Sequence, residues 1–165
     1  MERDELEQIY LKYHKQLWLY ALSLSGSVSD ADDLVQSVFL KAFLSWKPGG
    51  SIRCWLVRVL QNEYYNLYKK RKKQQGDEGS EPSGTEEDVL EKIIKNEEKR
   101  MLLMQIMKLD AAQKEVMMSS IYFGLKDEQI AESMRITREN VRKIRSRAKQ
   151  KIKRGMEEAG YGKEF

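Results

Sequence analysis

A chain of 165 residues is long enough for one domain or two small ones, and its single cysteine and single histidine exclude a disulfide framework, a structural zinc site and histidine-centred catalysis. The net charge of +4 is unevenly spread. Basic clusters at Lys69–Lys73 and Arg135–Arg154 flank an acidic stretch carrying Asp77, Glu78, Glu81, Glu86, Glu87, Asp88 and Glu91, a layout suited to touching nucleic acid at two places. No apolar run reaches the ~18 residues of a membrane span and the N-terminus has no secretory pattern, so a cytoplasmic protein without membrane insertion is expected.

Three periodic segments fill the first part of the chain. Leu6, Ile9, Tyr10, Tyr13, Leu17, Tyr20, Ala21 and Leu24 keep helical spacing until Gly26 and Ser27 break it. Ser29 or Asp30 then caps a second helix with the inner stripe Ala31, Leu34, Val35, Val38, Phe39, Ala42 and Phe43. After Pro48-Gly49-Gly50, a third helix from about Ser51 to Lys72 buries Ile52, Trp55, Leu56, Val59, Leu60, Tyr64 and Leu67, with Cys54 as a small packing residue. Residues 74 to 86 contain nothing to bury and read as a flexible acidic linker. A fourth helix is expected from about Glu87 to Lys108. Asp110, with Gln113 three residues on, caps a fifth, which ends at Gly124 as its C′ residue.

The segment from Lys126 to Arg145 has the spacing of a helix-turn-helix. Ile130, Met134, Ile136, Val141 and Ile144 are apolar, the small Ala131 allows close approach, and Thr137 is placed to cap the second helix. From Arg135 to Arg154 there are ten basic residues and one acid, Glu139, as expected of a helix lying in a major groove. Arg135 stands at the turn position that Gly usually holds, which predicts a modest stability cost or an altered turn.

The other two constellations lie in the first half. The second helix presents Asp33, Gln36 and Leu40 on its outer face with Phe39 beside them, a mixed surface suited to a protein partner. The third interleaves cations and aromatics: Arg53, Arg58, Tyr65, Tyr68 and Lys69 combine stacking platforms with a path for a single-stranded backbone. Trp55 and Tyr64 fit the core stripe and are assigned to packing. Tyr65 falls off it and is the better candidate for a base contact.

Taken in order, Asp32-Asp33-Leu34-Val35-Gln36-Ser37-Val38-Phe39-Leu40-Lys41-Ala42, then Ser51-Ile52-Arg53-Cys54-Trp55-Leu56-Val57-Arg58-Val59-Leu60-Gln61-Asn62, then the helix-turn-helix ending Arg145-Ser146-Arg147-Ala148, resemble an extracytoplasmic-function sigma factor of the sigma-70 family of bacterial RNA polymerase. The resemblance covers nearly all of the chain outside residues 74 to 90. It implies an all-α fold of two small helical domains on a flexible tether: region 2 at 1–73, the linker at 74–90, region 4 at 91–156 with its helix-turn-helix at about 127–146, and a tail at 157–165. It implies that Asp33, Leu34, Gln36, Phe39 and Leu40 dock on core RNA polymerase, at the β′ clamp helices, with the β subunit as a further partner. Arg53, Arg58, Asn62, Tyr65, Asn66 and Lys69 then belong to the −10 element of promoter DNA, where a flipped base is captured. Thr137, Arg138, Glu139, Arg142, Lys143, Arg145, Arg147 and Lys149 belong to the −35 element, Arg147 and Lys149 on phosphates. An anti-sigma factor occluding both domains is usual for this branch, though no residue here identifies one. No cofactor, metal or catalytic residue is implied. Asp110 stands where the family often has Pro.

An ordinary helix-turn-helix regulator, binding duplex DNA without polymerase, is the alternative. An enzyme acting on nucleic acid is disfavoured, because no metal-type cluster or nucleophile–base pair appears.

Overall fold

The computed structural model describes residues 1–75 and 86–162, which form helices and connecting turns with no strand among them. The chain divides into two compact units, Met1–Ser83 and Gly84–Phe165.

The first unit is three mutually packed helices: α1 (Arg3–Ser25), α2 (Val28–Ser45) and α3 (Ile52–Gln75). Leu17, Tyr20 and Leu22 of α1, Ala31, Val38 and Ala42 of α2, and Leu56 and Leu60 of α3 are fully buried and form its core. Gly26 ends α1 in the left-handed conformation (φ 65°), its N–H reaching Leu22 O at 2.8 Å. The cap of α2 differs from expectation. Ser27, not Ser29 or Asp30, sits extended ahead of the helix and accepts the Asp30 N–H at 3.3 Å. That places Asp30 inside the first turn, where its buried carboxylate takes a bidentate pair from Arg71 of α3 at 2.5 and 2.6 Å. Phe43, expected on the inner stripe, is exposed on the outer side of α2. Lys41 of α2 pairs with Glu63 of α3.

The second unit holds α4 (Glu86–Ile93), α5 (Glu97–Met107), α6 (Ala111–Ile121), α7 (Asp127–Met134) and α8 (Arg138–Glu158). The single helix expected from Glu87 to Lys108 is two. Between Ile94 and Met101 the sequence is wholly polar, so nearly two turns have no face to bury. Asn96 uses the gap to cap α5, accepting the Lys99 N–H at 3.0 Å, while Arg100 donates to Ile94 O at 2.8 Å. Asp110 caps α6 as expected, accepting the Gln113 N–H at 2.8 Å. The Gln113 side chain accepts from Lys151 of α8 at 3.1 Å. Helix α6 stops at Ile121, and Gly124 at φ 60° lies further out, in the turn that lets the Leu125 N–H reach Ser119 O at 3.1 Å. Of the segment read as linker, 74–75 close α3 and 86–90 open α4, while 76–85 lie outside the described residues.

Helix α8 packs along α5, α6 and α7, burying Val141, Ala148, Ile152 and Met156. A Cβ at Gly155 would come within 2.0 Å of the Gln105 Oε1 atom of α5, so the two helices approach where α8 has no side chain. The residues read as a tail from 157 are helical through Glu158.

Candidate nucleic-acid interfaces

The helix-turn-helix is built from α7 and α8. The Gln129 side chain accepts the Lys126 N–H at 2.9 Å and closes the start of α7. Arg135 ends α7 at φ 58°, ψ 44°, the one non-glycine residue at positive φ among those described. A left-handed non-glycine residue costs about 1–2 kcal/mol. The turn keeps its geometry nonetheless: the Ile136 N–H returns to Ala131 O at 3.0 Å, and Thr137 Oγ1 accepts the Asn140 N–H at 3.1 Å to start α8. Ile130, Ala131 and Val141 fill the corner between the helices.

The cations of α8 divide by side. Arg145 turns onto α7 and donates to Asp127 at 2.5 Å, its side chain only 20% exposed. Arg142 Nε lies 3.7 Å from the same carboxylate and Arg138 is 3.2 Å from Glu128, both largely in solvent. The hydrogen bond from Arg145 holds the Asp127 carboxyl below the usual range, helped by the nearby charges of Arg145 and Arg142. Thr137, Glu139, Lys143, Arg147 and Lys149 are exposed. Helical geometry sets Lys143 and Arg147 on the far side of α8 from Arg145.

In the first unit, Arg58, Asn62, Tyr65, Asn66 and Lys69 are all exposed and fall at i, i+4, i+7, i+8 and i+11 of α3, one continuous stripe. Lys69 Nζ stands 4.4 Å from the Tyr65 ring centroid, a cation–π pair on that stripe. Tyr68 is exposed at its edge, with Tyr64 behind it at 6.3 Å between centroids. Burial pushes the Tyr64 hydroxyl pKa upward, with smaller contributions from Tyr68 and Asp30. Arg53 is exposed but lies about 140° around the helix from Arg58 and does not join the stripe. Arg71 is held by Asp30, which raises its pKa, leaving Lys69, Lys70, Lys72 and Lys73 as the exposed cations of that end.

On α2, Asp33, Gln36 and Leu40 share one exposed face. Phe43 and Leu44, not expected on this face from the sequence, extend it into an apolar patch with Leu40, the three being 41%, 70% and 60% exposed. Leu34 and Phe39 are turned inward at 4% and 6% exposure, so they support the face rather than present it. Phe39 packs on Tyr10 with centroids 5.0 Å apart. Beside it a cleft of about 430 Å³ is lined by Tyr10, His14, Asp32, Val35, Gln36 and Phe39. Trp18 Nε1 donates to Asp32 at 2.8 Å and fixes its rim. Among the described residues no group of His, Cys, Asp and Glu is arranged to hold a metal, and no helix is long and apolar enough to cross a membrane.

One unit with a basic–aromatic helix and another with a helix-turn-helix define a two-part, all-α DNA-binding protein. Its relatives agree. The profile of sigma-70 region 2 matches residues 9–74 and that of sigma-70 region 4 matches residues 99–152. The RNA polymerase sigma factor YlaC of Bacillus subtilis (strain 168) is 27% identical over 164 residues, 93% of each chain. The ECF RNA polymerase sigma factor EcfG of Rhodopseudomonas palustris (strain TIE-1) is 36% identical over 74 residues, 43% of this chain and 41% of that one. In fold, the chain is similar to the sigma factor RpoE solved with the anti-sigma factor NepR from Bartonella quintana (TM-score 0.73, 22% identity, 93% of this chain and 97% of that one). It is also similar to CnrH solved with the cytosolic domain of CnrY (TM-score 0.64, 21% identity, 92% and 86%). The chain belongs to the sigma-70 family, in its extracytoplasmic-function branch.

Proposed function

We propose that the three faces divide the work of one initiation subunit. As a sigma factor the chain associates with RNA polymerase and directs it to promoters. In our reading Asp33, Gln36 and Leu40, extended by Phe43 and Leu44, dock on the β′ clamp helices of the core enzyme. The α3 stripe from Arg58 to Lys69 holds the melted −10 strand, with Tyr65 stacking on a base and Lys69 on the backbone. The exposed first turns of α8 enter the −35 major groove: Glu139, Arg142 and Lys143 face base edges, Arg138 at the helix start meets a phosphate, and Arg147 and Lys149 lie on phosphates further along. The subunit does no covalent chemistry itself and works where the polymerase is, in the cytoplasm. An anti-sigma protein, as in the RpoE–NepR complex, is the natural antagonist.

The observation that carries this reading is the coexistence of a basic–aromatic stripe and an exposed apolar–acidic face on one three-helix unit, which a regulator of duplex DNA would not need. The test is gel filtration of the chain with core polymerase, followed by transcription from melted-bubble and duplex templates. Co-elution and promoter-directed initiation are expected. Combining Gln36→Ala with Leu40→Ala lowers core affinity with helical content unchanged, since truncating central anchors commonly costs ~2 kcal/mol or more. Duplex binding without polymerase binding would make the chain a stand-alone regulator.

A further inference from the structure

The first turn of α7 places two acids against the helix that reads DNA, and they hold their partners differently. Asp127 meets Arg145 at 2.5 Å with both side chains about three-quarters buried, and touches Arg142 at 3.7 Å. Glu128 meets Arg138 at 3.2 Å, with each of the two side chains more than half exposed. Arg145 lies four residues after Val141 and three before Ala148, both fully buried, so its side chain leaves the protein-facing side of α8. A cation there serves an acid on the neighbouring helix better than a phosphate in the groove. Arg142, one helical turn earlier and 61% exposed, shares the same carboxylate from the edge that faces solvent.

We propose that Asp127 is a positioning residue for sequence reading: it fixes Arg145 as a strut between α7 and α8 and aims Arg142 at the bases, whereas Glu128 is an exchangeable counter-ion that Arg138 leaves for a DNA phosphate. The proposal rests on the reading that α8 enters the −35 groove, and it takes Arg145 out of the −35 contacts expected from the sequence. A bound duplex brings phosphates to Arg138, where a solvent-exposed ion pair is weak and easily exchanged. The buried pair beneath it stays closed. Sequence preference and general affinity are therefore controlled by adjacent acids of opposite effect. Removing Asp127 loosens the aim of Arg142, while removing Glu128 only takes a competing charge from the surface.

The test uses the full chain bound to core polymerase and a library of promoter duplexes randomised in the upstream element, with bound and free fractions sequenced. For Asp127→Asn the expected result is a flattened base preference, with the ratio of best to average sequence falling about tenfold, and affinity for the average sequence equal to or above wild type. Glu128→Gln raises affinity for all sequences several-fold and leaves their ranking unchanged. Arg145→Gln reproduces the flattening without changing the salt dependence, and the double variant with Asp127→Asn is no worse than either alone. Arg147→Gln, by contrast, reduces the salt slope by about 0.9 if that residue neutralises one phosphate. Circular dichroism accompanies each variant. If Asp127→Asn unfolds the unit, Arg145→Gln carries the comparison. Wild-type base preferences in folded Asp127→Asn or Arg145→Gln overturn the proposal, as does a reduced salt slope in Arg145→Gln. A wild-type complex with no upstream preference at all overturns the placement of α8 instead.

Discussion

Losing Arg71 and losing Asp30 are unequal perturbations of the same ion pair. Arg71→Met keeps the aliphatic stem and removes the guanidinium, stranding a carboxylate whose side chain is 9% exposed. Breaking a fully buried pair from one side costs about 3–5 kcal/mol. Here the Arg71 side chain is 42% exposed, so water reaches the pair and trims that figure. Asp30 also lies in the first turn of α2, where the helix dipole favours a negative charge by about 0.3–1 kcal/mol. The expected loss is about 2 kcal/mol, or about 10 °C in the melting temperature of a unit this size. Asp30→Asn leaves a cation that can swing into solvent and keeps the packing, so the charge-assisted hydrogen bonds and the dipole contribution are lost, together about 1–1.5 kcal/mol. The double variant Asp30→Asn/Arg71→Met then costs less than the two losses added together. Urea unfolding followed by circular dichroism gives the free energies. Hydrogen exchange in the last turns of α3 assigns them to this unit, since two units need not melt as one. Equal losses, or a larger one for Asp30→Asn, would refute the reasoning that stranding a buried carboxylate costs more than releasing a cation into solvent.

Arg135→Gly removes the strain of the left-handed turn and raises stability of the second unit by about 0.5–1 kcal/mol after the entropy cost of glycine; an unchanged or lower melting temperature contradicts this. Asp127 carries a lowered pKa because Arg145 hydrogen-bonds it, so its stabilising contribution is present above the ordinary carboxylate pKa and is lost as pH falls through the lowered value. The stability gap between wild type and Asp127→Asn therefore closes only below about pH 4; unfolding curves from pH 7 to 3 check this, and a gap that closes near neutrality would be wrong in sign. Tyr65→Ala weakens binding of the chain–polymerase complex to a melted −10 template by about 1–3 kcal/mol, the worth of one stacked base, and leaves initial duplex binding unaffected. Equal losses on melted and duplex templates would remove Tyr65 from base stacking.

What was legible in the sequence was local. Ile130, Ala131, Val141 and the Thr137 cap lie within a dozen residues of one another, and their spacing alone specifies the corner of the helix-turn-helix. The break before α5 was also written locally, in Asn96 and the polar run around it, but the apolar positions on either side stayed close enough to helical phase to bridge it. Asp30 shares with Ser29 the pattern of a cap, because either residue type at a helix start usually is one, and its true partner lies 41 residues downstream, where no short-range pattern points. The family resemblance and its charge place Arg145 among the −35 contacts. Its spacing from Val141 and Ala148 carried the opposite message, that the side chain leaves the buried side of α8. Phe43 shows the converse error: an apolar residue in helical phase with a core stripe, yet left on the surface.

The close approach at Gly155 makes α8 a lever. Its grip on Gln105 lies 18 residues, roughly 27 Å along the helix, from the Thr137 end. A tilt of about 5° at the grip would swing the far end by about 2 Å, several times the ~0.5 Å tolerance of a well-placed functional group. On the proposed reading, the alignment of the base-facing turns thus depends also on the opposite end of the helix, where one amide fits against a bare backbone. A methyl group there meets the end of the buried Gln105 side chain; to the extent that this amide cannot turn aside, α8 tilts, and on the proposed reading promoter choice then suffers from a residue outside the DNA-facing turns.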